Sequence, residues 1–111
     1  MFTRKLQFNE GVRVVPFDRI IYIESRLHKL EYHIMEEKEQ IYTCYGKLNE
    51  IEQEYKNEGF IRLHQSFLVN MHYIERLEHY AAVLGNGMKI TIPRARYKFV
   101  ENSFVEYLGE I

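Results

Sequence analysis

Three short stretches hold the side chains best suited to chemistry: Ser25, Arg26, His28 and Lys29; Arg62, His64, Gln65 and Ser66; and Arg94, Arg96 and Lys98. Arg, Lys, His and Ser are residues that hold phosphate oxygens. Arg and Gln can also make paired hydrogen bonds to guanine and adenine edges in a major groove. Each has an ordinary explanation when taken alone. Arg62 or Arg94 could pair with a Glu at little gain, His28 could be an idle loop residue, and Gln65 could satisfy a backbone group. Convergence of the three stretches would turn ordinary residues into a surface for a polyanion.

Other chemistry is poorly represented. The chain has no G-x-S-x-G elbow, Walker loop, G-x-G-x-x-G or H-E-x-x-H. His64 and Ser66 are two apart, which places them on one strand face but supplies no third group to orient a nucleophile and base. The five histidines, at 28, 33, 64, 72 and 79, show no i,i+2 or i,i+4 pairing with one another, so no metal ligand set is expected. Cys44 is the one cysteine, which excludes an intramolecular disulfide, and its apolar neighbours suit a packed, inert thiol. The expectation is a protein with no catalytic residues, no metal and no cofactor.

Composition bounds the rest. With 111 residues, 46% apolar and 28% charged, the chain is expected to form one folded domain over residues 1–111. Nine Tyr and seven Phe lean it toward strands. No apolar stretch follows the N-terminal charges and no run approaches the roughly 20 apolar residues of a membrane span, so a cytoplasmic protein without a membrane partner is expected. The net charge of -1 argues against a polyanion only on average: residues 36–59 hold three Lys against seven Glu, leaving twelve basic and nine acidic residues elsewhere.

The elements that must position these stretches follow from periodicity. T-R-K-L-Q-F and V-R-V-V-P-F flank Asn9-Glu10-Gly11 and predict a hairpin. Ile20 to Ile23 is a continuous apolar run, expected as a central strand buried on both faces. Leu30, Tyr32 and Ile34 alternate with Glu31 and His33, and Gln40 to Tyr45 returns after an acidic turn, so segment 24–29 reads as a connecting loop at one end of a sheet. Leu48, Ile51 and Tyr55 mark a helix, with Glu52 four residues before Lys56 and Gly59 as its cap. Its acidic face is expected to point away from any polyanion. Strands are predicted over Tyr73 to Leu77, Tyr80 to Leu84 and Lys89 to Ile92, the last two joined by Gly85-Asn86-Gly87. After Pro93, a stripe of Tyr97, Val100, Phe104 and Leu108 predicts a second helix. Phe60 to Ile74 mixes anchors such as Phe67, Val69 and Ile74 with the polar residues of the second stretch, and Asn70 is expected to hold the turn that follows.

On these residues the chain resembles the LytTR DNA-binding domain, the output module of many bacterial response regulators. The matching blocks are I-I-Y-I-E-S at 20–25, Y-G-K-L-N-E-I at 45–51, F-I-R-L-H-Q-S-F-L-V-N-M-H-Y-I at 60–74, V-L-G-N-G at 83–87 and I-P-R-A-R-Y-K at 92–98. The resemblance runs from about Leu6 to Leu108. It implies a mainly β (α+β) fold, an elongated antiparallel β-sheet sandwich with two short helices, that inserts loops into successive major grooves. It also implies base reading by His28, Gln65 and Arg94, with Ser25, Arg26, Lys29, His64, Ser66, Arg96 and Lys98 on the DNA backbone. Pro93 stands where many relatives have Ser, removing a hydroxyl and an N–H. The implied partner is double-stranded promoter DNA, at sites that would be repeated and could take a homodimer, with a receiver domain if the chain is a piece of a response regulator. The alternatives are an assembly module on the same fold without DNA binding, and a β domain with a deep pocket at His64 and Ser66.

Overall fold

The computed structural model describes residues 3–110. It has three antiparallel sheets and two α-helices. Strands β1 (Thr3–Phe8) and β2 (Gly11–Pro16) form a separate hairpin. A five-stranded sheet holds β3 (Ile20–Arg26), β4 (Lys29–Met35), β5 (Glu39–Tyr45), β6 (Phe60–His64) and β7 (Phe67–Asn70) in the order β5-β4-β3-β7-β6. The third sheet runs β10 (Lys89–Thr91), β9 (Ala81–Leu84), β8 (Ile74–Glu78). Helix α1 (Leu48–Glu54) links β5 to β6, and α2 (Arg94–Gly109) follows β10. The principal extents are 38 × 31 × 26 Å. No helix among the described residues is long and apolar enough to cross a membrane.

The apolar run expected as a central strand is the middle strand of the large sheet. Its register slips between Ile20 and Tyr22. Such a bulge lets neighbouring residues share a face, and it divides the run between two cores. Ile20 and Ile23 pack with Phe8, Leu30, Tyr32, Leu48 and Tyr55 on the side of α1. Ile21 and Tyr22 pack with Leu63, Val69, Leu84, Ile90, Val100 and Phe104 on the side of α2 and the small sheet. A strand read as uniformly apolar is thus the shared wall of two clusters, which is why it tolerates no polar residue before Glu24.

Buried polar groups hold the two halves in register. Asn70 Nδ2 donates to the Phe17 and Ile20 carbonyls at 3.2 and 2.9 Å, and its Oδ1 accepts the His72 N–H at 3.0 Å. The Asn expected to fix a local turn therefore also ties it to the entry of β3, 50 residues away. The Tyr32 and Tyr55 hydroxyls satisfy each other at 3.0 Å in the first core.

Several sequence expectations are corrected. Segment 24–29 is not an open loop: Ser25 and Arg26 finish β3, Lys29 begins β4, and only Leu27 and His28 form the turn. Both have positive φ, 49° and 68°, the geometry of a two-residue hairpin turn that matches strand twist. Residues His79 and Tyr80, with φ of 42° and 58°, make a second turn of this kind between β8 and β9. Tyr80 is therefore a turn residue and not the start of a strand. Helix α1 ends at Glu54, so Gly59, with φ 82°, closes the turns beyond it rather than the helix itself. On α2, Val100 and Phe104 are buried, but Leu108 is 48% exposed and Tyr107 packs on the core in its place. Phe67 is only half-buried, whereas Val69 and Ile74 are core residues as expected.

Candidate nucleic-acid interface

Strand β7 pairs antiparallel with both β3 and β6. β3 and β6 therefore run in the same direction and deliver their turns, Leu27-His28 and Gln65-Ser66, to one end of the sheet. The Ser25 N–H donates to the Ser66 carbonyl at 2.8 Å and fastens the two together. Two of the three polar stretches thus converge through strand order, a property no local pattern shows.

The second turn is held from beneath by Arg62. Its guanidinium spends four hydrogen bonds internally: Nε donates to the His64 carbonyl at 3.0 Å and Nη2 to the Gln65 carbonyl at 2.5 Å. Nη1 donates to Asn49 Oδ1 and Glu52 Oε1, each at 2.8 Å. The side chain is 12% exposed, so Arg62 positions the turn and is not free to meet a ligand. Its pairing also corrects the expectation for the acidic helix face: Glu52 points toward this turn and neutralises its buttress. The signal for that was Arg62 sitting on a strand between the buried Ile61 and Leu63.

His64 Nδ1 accepts the Ser66 N–H at 3.2 Å. The ring proton then belongs on Nε2, which is left as a donor. The contact runs to the Ser66 backbone and not to its hydroxyl, which removes the nucleophile–base pairing that the sequence spacing invited. Neither the open groove of about 480 Å³ between α1 and α2 nor a smaller cleft of about 290 Å³ beside β2 is lined by His64 or Ser66, so the deep pocket required by a hydrolytic reading is missing from both. Burial, with Glu10 adding to it, pushes the Cys44 thiol upward, as for a packed thiol.

At the tips, Gln65 is exposed, and so are Arg26, His28 and Lys29 on the neighbouring turn. Lys29 Nζ lies 5.9 Å from the centre of the Tyr45 ring. Ser25 and Ser66 are half-buried at the junction of the turns.

The third stretch joins through Arg96 rather than Arg94. Arg96 Nε donates to the Arg62 carbonyl at 2.6 Å, and its guanidinium lies 4.9 Å from the centre of the Phe99 ring. This links the first turn of α2 to the end of β6. Arg94 is exposed, its guanidinium 5.0 Å from the Tyr80 ring, which itself packs edge-on against Tyr97. Arg94 is therefore stationed against the β8–β9 turn by a cation–π contact. Lys98 is exposed and makes a 3.3 Å pair with Glu101, a contact of small energetic weight.

The fold has known relatives. A family model described as the LytTr DNA-binding domain matches residues 10–104. Among solved structures, the chain is similar to the LytTr DNA-binding domain of a Bacillus cereus protein described as a methyl-accepting/DNA response regulator. The two are 23% identical and superpose with a TM-score of 0.75 over 93% of this chain and 96% of that one. No curated protein matches significantly. The family match covers all three polar stretches and, apart from Phe8, the buried residues of both cores, and the chain belongs to the LytTR family of DNA-binding domains.

Proposed function

We propose that this domain binds double-stranded DNA sequence-specifically, as the output element of a response regulator acting on transcription. The reading rests above all on the Ser25–Ser66 hydrogen bond of 2.8 Å, which joins two turns whose tips are exposed and carry Arg26, His28, Lys29 and Gln65. In this reading Gln65, Arg94 and His28 meet base edges. Ser25, Arg26, Lys29, His64, Ser66, Arg96 and Lys98 grip the phosphates and set the register. The His64 Nε2–H is suited to a phosphate oxygen, since its other nitrogen is occupied. A receiver domain supplied by the remainder of a longer protein, and a homodimer on repeated promoter sites, fit the same role.

The test is to select duplexes from a random pool and measure their affinity for the domain over a range of salt. Each neutralised phosphate contributes about -0.9 to the slope of log affinity against log salt. A selected consensus and a steep negative slope are expected. A second reading, an assembly module that has kept the fold without DNA affinity, is favoured by the net charge of -1. It requires that no duplex be enriched and that the slope be flat.

A further inference from the structure

His33 carries the one buried side-chain polar atom that lacks a hydrogen-bond partner among the described residues: its Nε2 is sealed from solvent and unpaired. A native core rarely leaves such a group unmatched. The side chain is 8% exposed and held on both sides. Its Nδ1–H donates to Glu39 Oε2 at 2.9 Å, and the Tyr22 ring stacks on it at 4.0 Å. A carboxylate can only accept, so Nδ1 carries a proton, and a ring with no second proton presents its lone pair at Nε2.

What Nε2 faces is set by strand register. Tyr22 is paired with His33, and Glu24 with Glu31, across β3 and β4. The period of two then puts Glu24, Glu31 and His33 on one face. One ligand atom from each lies within 4.8 Å of the others, and Glu31 Oε1 is 4.0 Å from Nε2. That is too long for a hydrogen bond. It is slightly wider than the roughly 3.4 Å between two ligands in a tetrahedral zinc site with bonds of about 2.1 Å. Glu24 and Glu31 are half-buried, and among the described residues neither has an Arg or Lys within ion-pair distance.

We propose that Glu24, Glu31 and His33 form a site for one divalent transition-metal ion of the zinc class, with Glu39 orienting the imidazole. A ligating His whose second nitrogen donates to a carboxylate is the arrangement that fixes tautomer and ring direction at such sites. The nitrogen ligand favours zinc and its neighbours over magnesium or calcium, which take oxygen sets. Partial exposure of Glu24 and Glu31 places the solvent-facing side of the site at their carboxylates. The pattern visible in the chain was Glu31-x-His33 on an alternating strand; the third ligand comes from the neighbouring strand.

The experiment is calorimetric titration of zinc chloride into the metal-free protein, followed in parallel by the imidazole resonances of His33. One ion per chain and a shift of those resonances are expected, with no response to magnesium at the same concentration. Glu24→Gln and Glu31→Gln should each lower zinc affinity at least about tenfold, and Glu39→Gln about 10- to 100-fold, while His72→Gln changes nothing. His33→Gln could disturb packing, so the half-buried carboxylate variants, checked for unchanged circular dichroism without metal, carry the test. Absence of stoichiometric uptake by the wild type overturns the proposal, as does uptake that survives both Glu24→Gln and Glu31→Gln.

Discussion

The two turns at the shared end of β3 and β6 solve opposite problems. The β6–β7 turn is braced: Arg62 donates to the carbonyls of both His64 and Gln65 from below, and the His64 ring caps the Ser66 N–H. The β3–β4 turn has no such support. Leu27 and His28 occupy left-handed backbone, Leu27 is 90% exposed, and Ser25 at the base ties the turn to its neighbour. A side chain aimed from a braced turn loses little freedom on meeting a base, whereas one on an unsupported turn must be ordered at the moment of binding. In the proposed reading, the contrast suits Gln65 to the sharper discrimination, and leaves His28 on the unsupported turn with a base contact that is ordered only on binding.

Arg62 should show the largest effect. Arg62→Ala leaves two turn carbonyls and Glu52 without their partner, and is expected to cost about 3 kcal/mol of stability, read as a lower urea midpoint at unchanged slope. Arg62→Lys should recover only part of this, because an ammonium cannot span four acceptors in a planar fork. If Arg62→Ala were as stable as the wild type, the second turn would not be braced in the sense described.

Next come the proposed readers. Gln65→Ala and Arg94→Ala are each expected to reduce specific duplex binding by about 1–3 kcal/mol and to relax one position of the selected site, with unfolding midpoints unchanged. Equal losses on specific and scrambled duplexes would move either residue from reading bases to holding phosphates.

Leu27→Gly probes the backbone of the unsupported turn. An L-residue in the left-handed region costs roughly 1–2 kcal/mol, offset by the greater chain entropy of Gly, so a net gain of about 0.5–1 kcal/mol in stability is expected. A loss in that measurement would mean that the Leu27 side chain contributes something its 90% exposure does not suggest. The smallest effect belongs to Arg26→Ala. Its stability should stay within about 0.5 kcal/mol, while duplex affinity weakens alike across sequences and the salt slope loses about one unit of phosphate contact. Sequence-dependent loss here would erase the distinction between the two turns.

Much of this architecture was legible in the chain. The hairpin around Asn9-Glu10-Gly11 rests on residue type, and the Leu30-to-Tyr45 alternation, the apolar run at Ile20 and the helical stripe through Val100 and Phe104 rest on local pattern; each element lies where its pattern put it. The errors were of one kind. Tyr80 has strand propensity but sits in a turn whose position is set by the Glu78–Ala81 pairing. Leu108 has the right spacing for the core, but Tyr107 takes the core-facing position of that turn and leaves Leu108 exposed. Arg62 has the composition of a ligand-binding residue, yet its neighbours in space consume its donors.

The sequence by itself determined the elements, the resemblance to LytTR domains and the short set of side chains able to meet DNA, because residue type and spacing act over a few residues. Tertiary structure decided which of those side chains are free. Placing β7 between β3 and β6 set two turns side by side, α1 supplied the Asn49 and Glu52 acceptors that turn Arg62 inward, and the β3–β4 register brought Glu24 across from Glu31 beside the unpaired nitrogen of His33. The Ser25–Ser66 contact joins residues 41 apart in the chain, and even the nearer pairs meet only once strand register is set.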